Sequence, residues 1–306
     1  MGDGLAFIEG KFCPLSEAKV SVFDPGFTHS DVVYDVVSVW KGHFFRLEEH
    51  IERFLVSCAG TRLKCPYSAA ELKDILARLV IDGGVQEGAF VSMAVTRGKY
   101  ENQAAARARD IFRMTQNLIA YAVPYMWIAD PELQKRGMHL VTSEVPRIPS
   151  ACVDMRYKNY HAGDLTRGRF EAQEAGAHRA VHCTIDGHLT EGAGFNLFWV
   201  SRGRVYTPAY NVLEGITRKS VLEIAADLGI PAEVGNYPVE DLLNADEAFI
   251  TSTAGGVMPA ARINDRFYPA NGPGEISLRL HNEYWQRREA GWLSTPVADA
   301  LVTAQA

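Results

Sequence analysis

At 306 residues, 47% of them hydrophobic, the chain is long enough for two ordinary domains or one large one, each with its own core. Its 31 lysines and arginines stand against 37 acids, a formal net charge of -6, so no basic surface advertises nucleic acid or an anionic membrane as a partner. The N-terminal residues carry no basic segment followed by an apolar core, and no apolar run reaches bilayer length, which makes a cytoplasmic location the expectation.

In chain order, LAFIEGKFCP reads as short strands, and VVYDVVSVWKGHFFRL as a hairpin turning at Lys41-Gly42. LEEHIERFLVSCAG repeats apolar residues at Leu47, Ile51, Phe54, Leu55 and Cys58, the spacing of one helix face. SAAELKDILARLVIDGG opens with Ser68 as cap and Glu71 three residues on, a capping box. AFVSMAVTRG reads as a buried strand, KYENQAAARARD as a polar loop, and NLIAYAV as another strand. Together these make an α+β unit over residues 1–123.

Residues 124–137, PYMWIADPELQKRG, hold two prolines and a polar tail and are read as the interdomain connection. Residues 138–306 form the second domain, with strands at MHLVTSEV, AVHCTIDGHLTE and NLFWVSRGRVYTP. Its helices lie at GDLTRGRFEAQEAG, ITRKSVLEIAADLG and VEDLLNADE. AFITSTAGGVMPAARIND and a C-terminal helix end it.

Familiar chemistries fall away on motif grounds. The cysteines, Cys13, Cys58, Cys65, Cys152 and Cys183, are odd in number and scattered without a CxxC pair, so reduced structural thiols and no metal are expected. HExxH, GxSxG, GxxxxGK[ST] and complete GxGxxG motifs are absent.

Three groups remain. Lys158, in CVDMRYKNYHAGDL, lies between tyrosines with no acid within three positions; it is either a solvated surface charge or a reactive amine. GITRKSVLEIAADLG, with Thr217 at the cap position, offers helix N-terminal N–H groups to an anion. TSTAGG at 251–256 has the glycines and hydroxyls that suit phosphate; either could be a plain turn. Glu191, between two apolar strands, is either an exposed turn acid or an inward carboxylate. An amine, a phosphate cup and an inward carboxylate are what pyridoxal phosphate requires.

The blocks FDPGFTHSDVVYDVVSVWKGHFFRLEEHIERF, YAVPY, KNYHAGDL, EGAGFN, GITRKSVLEIA, ADEAFITSTAGGVMP and a late GPG span nearly the whole chain. Together they resemble a fold-type-IV pyridoxal-phosphate aminotransferase. The resemblance implies an α/β (α+β) architecture with a small N-terminal domain and a larger C-terminal pseudo-barrel domain, pyridoxal 5'-phosphate as cofactor, and a homodimer. Within that superfamily the blocks most resemble (R)-selective amine transaminases, with branched-chain and D-amino-acid aminotransferases and aminodeoxychorismate lyase as alternatives.

Carried over by residue, the resemblance makes Lys158 the Schiff-base lysine and proton carrier of a ping-pong transamination between a primary amine or amino acid and a keto acid or ketone. Glu191 would bind the pyridine nitrogen, and Leu213 would lie against the ring. Arg53 would reach the phosphate with Ile216, Thr217, Thr253 and Ala254. Helical phase alone sends Arg53 to solvent, roughly 200° around from Ile51; His50 shares its stripe. The substrate pocket would draw on His29, Tyr34, Val36, Phe90, Ser92 and Ala162. Ser92 stands where branched-chain relatives place an arginine, and the PRxHxF-like loop of D-amino-acid enzymes is missing, so a carboxylate would fall to Arg107 or Arg109. Ala162, where related amine transaminases carry tryptophan, implies a wider pocket.

Overall fold

The computed structural model describes residues 4–268 and 272–302. They divide into two compact units. The first holds the residues up to Met126, Tyr157–His161 and those from Leu293 onward; the second holds Trp127–Arg156 and Ala162–Trp292.

The first unit is one antiparallel sheet with helices on one face. Strands β1 (Leu5–Ile8) and β2 (Lys11–Pro14) form a hairpin, and a short helix α1 (Pro25–Thr28) leads into β3 (Val32–Trp40) and β4 (His43–Phe45). Helices α2 (Leu47–Gly60) and α3 (Ala69–Asp82) follow, α3 opening on the Ser68–Glu71 capping box. Then come β5 (Gly88–Tyr100), the short helix α4 (Gln103–Ala108) and β6 (Met114–Pro124). The sheet runs from the Ser294–Pro296 strand through β4, β3, β5, β6 and β1 to β2. Because strand side chains alternate between faces, Val33, Val37 and Val39 point with Val91, Met93 and Val95 into a core closed by Leu47, Ile51, Phe54, Leu72, Leu76 and Leu79 of the helices.

The second unit contains α5 (Pro131–Arg136), β7 (Met138–Thr142), α6 (Gly163–Glu174), β8 (Arg179–Cys183), β9 (Leu189–Gly192), β10 (Phe195–Ser201) and β11 (Arg204–Pro208). It continues through α7 (Ile216–Asp227), β12 (Ala232–Gly235), α8 (Val239–Leu243), β13 (Glu247–Ser252), β14 (Gly256–Ile263), β15 (Arg266–Phe267) and α9 (Glu275–Glu289). Its sheet runs β12-β11-β10-β13-β14-β7-β8-β9, and β9 pairs again with β10, which closes six strands into a barrel. Met138, Leu140, Val181, Leu197, Trp199, Ile250 and Met258 belong to its core. This is the mixed α/β architecture with a pseudo-barrel expected above. Among the described residues, no helix is long and apolar enough to cross a membrane.

Four sequence expectations change. The stretch at 124–137 holds the change of unit, at Met126–Trp127, but it also contains a helix: Pro131 sits in the first turn of α5, which Asp130 caps through Leu133 N–H at 2.8 Å, and proline is favoured in a first turn because the N–H it lacks would have no helical partner. Residues 157–161 and those from 293 onward, assigned to the second domain by sequence, fold with the first unit. Asn159 bridges Val33, and Ser294–Pro296 pairs with β4. The polar loop KYENQAAARARD instead extends β5 to Tyr100 and forms α4, capped by Asn102 on Ala105 N–H. Helix α7 starts at Ile216 with Gly215 as its cap, not Thr217.

Candidate active site

In the first unit, β3 carries two different faces through the site. Asp35 lies on the helix side, 0% exposed, the only acid within VVYDVVSVW. Its Oδ1 accepts from Val36 N–H at 2.7 Å and from Arg53 Nη2 at 2.8 Å, and lies 2.7 Å from His50 Nδ1; Oδ2 accepts from Arg53 Nε at 2.8 Å. Burial alone would raise this carboxyl, but Arg53 and His50 hold it far below the usual carboxylate range. His50 is pushed below the ordinary histidine value by burial, against the pull of Asp35, with Arg53 and Lys158 adding to the shift. The acid on β3 is what draws Arg53 inward from its outward helical phase.

The other face of the sheet aligns three rows: Tyr34–Ala94–Ile119, Val36–Ser92–Tyr121 and Ser38–Phe90–Val123. Tyr34, Val36, Phe90 and Ser92 therefore share one face. Lys158 reaches the same face: its Nζ stands 4.5 Å from the Tyr34 ring centroid, and no carboxylate among the described residues pairs with it. The lysine's backbone is fixed on both sides, its N–H donating to Ser57 Oγ at 3.2 Å and its carbonyl accepting from Tyr34 N–H at 2.9 Å. Tyr160, 44% exposed, packs 4.6 Å from Tyr34, and partial desolvation, with Tyr121 and Tyr34 nearby, pushes its hydroxyl above the usual phenol range.

In the second unit, β9, β10 and β13 set Glu191 opposite Asn196 and Asn196 opposite Thr251. Glu191 is 7% exposed, which settles the choice between turn acid and inward carboxylate. Its Oε2 accepts from Leu213 N–H at 2.9 Å and Asn196 Nδ2 at 3.3 Å, and its Oε1 from Arg147 Nη2 at 3.1 Å. Asn196 Nδ2 also donates to Leu213 O at 2.8 Å, tying the approach to α7 onto β10. Gly215 caps α7 without a side-chain acceptor for the first-turn N–H groups. A Cβ there would lie 1.9 Å from Asn196 Oδ1, so glycine is what lets the chain pass. Ile216 and Thr217 occupy the first turn. Thr253 and Ala254 sit in the turn between β13 and β14, where Ala254 N–H donates to Ser252 Oγ at 3.2 Å and Gly256 has φ 68°.

Not every residue named from sequence joins these clusters. His29 ends α1 exposed, its Nδ1 2.7 Å from Thr28 Oγ1. Arg107 and Arg109 are exposed at the end of α4, Arg109 with φ 52°. Ala162 is the half-buried N-cap of α6, its carbonyl accepting from Thr166 N–H at 2.9 Å. Sequence reasoning passed over Asp35, Ser57, Arg147, Asp164 and Asn196. A single acid inside an apolar strand would have flagged Asp35, whereas Arg147, in the aperiodic VPRIPS, offers no local signal.

Residues 32–263 match the family described as Amino-transferase class IV. The chain is similar to the putative branched-chain-amino-acid aminotransferase of Methanocaldococcus jannaschii, 29% identical over 280 residues covering 91% of this chain and 94% of that one. It is similar also to the D-alanine aminotransferase of Bacillus licheniformis, 32% identical over 279 residues, 89% of this chain and 92% of the other. Among solved structures, the T.th. branched-chain amino acid aminotransferase with pyridoxamine 5'-phosphate matches at a TM-score of 0.86 and 28% identity over 97% of this chain and 99% of that one.

Proposed function

The chain belongs to the class IV aminotransferases, which use pyridoxal 5'-phosphate, and from that premise we propose that it moves an amino group from a primary amine of R configuration, or from an amino acid, to a keto acceptor in a ping-pong cycle. The observation that carries this reading is Lys158: an amine fixed by its backbone, laid over the Tyr34 ring and without a carboxylate partner among the described residues. The second unit supports the cofactor's fit with a buried carboxylate bearing three donors and with a helix N-terminus where any Cβ at residue 215 would collide.

When bound, pyridoxal phosphate supplies an aldehyde for imine exchange and a ring that takes up electron density. Lys158 would contribute Nζ twice, as the amine exchanged for the donor's and as the base that moves the proton from the donor's α-carbon. With the cofactor bound, Glu191 would hold a proton at the ring nitrogen, and Leu213 would lie against the ring. On the resemblance, Arg53 and the first-turn and β13–β14 turn groups of Ile216, Thr217, Thr253 and Ala254 would hold the phosphate. Arg53 works here with one edge already on Asp35, so its orientation is set before any anion arrives.

Tyr34, Val36, Phe90 and Ser92 line the substrate side in this reading, with His29, Ala162 and Arg109 contributing, and Arg107 or Arg109 meeting a substrate carboxylate. The D-alanine and branched-chain relatives favour the second reading, an amino-acid donor; a β-lyase of the same fold is the remaining alternative. We infer a homodimer on the resemblance, and keep the cytoplasm as the expectation from the sequence.

The test is a donor screen on purified holoenzyme, following loss of the cofactor's absorbance band on adding one compound at a time. (R)-sec-Butylamine is expected to bleach the band and the S enantiomer to leave it. Bleaching only by D-alanine or L-leucine moves the substrate to the amino-acid class, and no bleaching by any donor overturns amino transfer.

A further inference from the structure

Glu191 is one of three charged groups buried together in the second unit. Arg147, 3% exposed, donates through Nη1 to Asp164 and through Nη2 to Glu191 Oε1 at 3.1 Å, and Nη2 also meets Met155 Sδ at 3.0 Å. Asp164, 7% exposed, accepts further from the N–H groups of Ile148 and Leu165, both at 2.8 Å. Burial would raise the Asp164 carboxyl, but the Ile148 N–H and Arg147 hold it below its ordinary value. Two buried acids thus share one buried cation. The remaining donor, Arg147 Nε, has no partner among the described residues, so the guanidinium is committed to its two carboxylates. Two nearby carboxylates in a poorly solvated place do not both stay ionised without such a cation; one of them takes up a proton.

Neighbouring charges do not replace it. Arg218 on α7 hydrogen-bonds Thr207 Oγ1 at 3.3 Å and Pro208 O at 3.0 Å, both neutral, so its charge acts on Glu191 and Glu214 only through space, whereas Arg147 donates to both buried acids directly. His182, on β8, has Nδ1 2.8 Å from Val145 O, and burial lowers its pKa below the ordinary histidine value. Glu171, on α6, accepts from Ser143 Oγ, and Glu214 is exposed; both are acids and only add to the negative side.

We propose that Arg147 is a positioning residue: its guanidinium, shared between Asp164 and Glu191, keeps Glu191 ionised and so keeps the proton on the ring nitrogen of pyridoxal phosphate. The proposal rests on the reading of Glu191 given above. It makes a distinctive demand, because the fault created by losing Arg147 is two acids without a cation. Removing the second acid must then repair it.

The test loads the protein with pyridoxal phosphate labelled with ¹⁵N in the ring and reads the nitrogen's chemical shift, which reports its protonation without turnover. Parent protein should give the protonated shift and Glu191→Gln the unprotonated one. Arg147→Met should move most of the way toward Glu191→Gln and slow the donor half-reaction tenfold or more. Arg147→Met with Asp164→Asn should return the shift toward the parent and recover most of that rate, which a merely structural role for Arg147 would not allow. A parent-like shift in Arg147→Met overturns the proposal, as does a double variant no better than the single one. A parent-like shift in Glu191→Gln instead removes the reading of Glu191 on which the proposal stands. Should Arg147→Met fail to fold, Arg147→Gln, neutral but still able to donate a hydrogen bond, is read by the same criteria.

Discussion

Asp35 interrupts an apolar strand at 0% exposure, and this is tolerated because Arg53 and His50 bring hydrogen bonds to it. The same arrangement leaves His50 buried, with its pKa depressed first by burial; His182 is depressed for the same reason. An unfolded chain protonates these rings near about pH 6.5 and the folded one only below that, so their contribution to stability is full above about 6.5 and is lost as pH falls toward the folded values. The loss is at most about 1.4 kcal/mol per pH unit for each histidine. Denaturant unfolding at about pH 7.5 and about pH 5.5 measures it. His50→Gln should show a shallower loss than the parent, whereas equal losses would mean that His50 does not titrate on unfolding. At this scale the sequence was only partly legible. Lys158, Glu191 and Arg53 stand in recognisable blocks; Arg147 does not, and it acquires meaning only through Glu191 and Asp164, 44 and 17 residues away, Asp164 itself lying unremarked in the KNYHAGDL block.

Helix α7 shows how an element carries the site. Its approach from Leu213 to Gly215 is pinned by Asn196, which also donates to Glu191, so the helix start and the carboxylate are held by one amide. Gly215→Ala would push a methyl to 1.9 Å from Asn196 Oδ1. Since both groups are tied, the segment must shift, at a cost of about 1 to 3 kcal/mol, and pyridoxal phosphate affinity should fall with it. Thermal unfolding of apo protein and cofactor titration check the two effects separately. A variant unchanged in both would show that the approach is slack. Helices were legible where apolar residues recur with helical spacing: α2 spans Leu47–Gly60 as its pattern predicts, and α3 begins at its capping box. The start of α7 misled because Thr217 has a capping hydroxyl, while the close pass against Asn196 that demands glycine at 215 is a tertiary fact. In KYENQAAARARD the polarity hid a strand end and a helix whose single buried residue is Ala105.

For the whole molecule, the informative departure is the return of residues 157–161 to the first unit. Their anchors, Val33, Tyr34 and Ser57, all lie more than a hundred residues earlier, the shortest span being the 101 positions of the Lys158–Ser57 bond, a separation that no local pattern reports. The architecture itself was legible, since alternating short strands and helices after a first α+β unit, read with the motif blocks, pointed to the barrel that β9–β10 pairing closes. The first crossing between the units, at Met126–Trp127, falls inside the stretch read as a connection, but the helix α5 within it was not legible, because proline and polar residues mark a short helix as readily as a linker. Everything proposed for the reaction turns on Lys158 being the amine through which amino groups pass. Holoenzyme reduced with borohydride, digested and mapped by mass spectrometry tests this directly. A pyridoxyl group is expected on the peptide containing Lys158, abolished in Lys158→Ala; a pyridoxyl group on another lysine of the parent protein would contradict it.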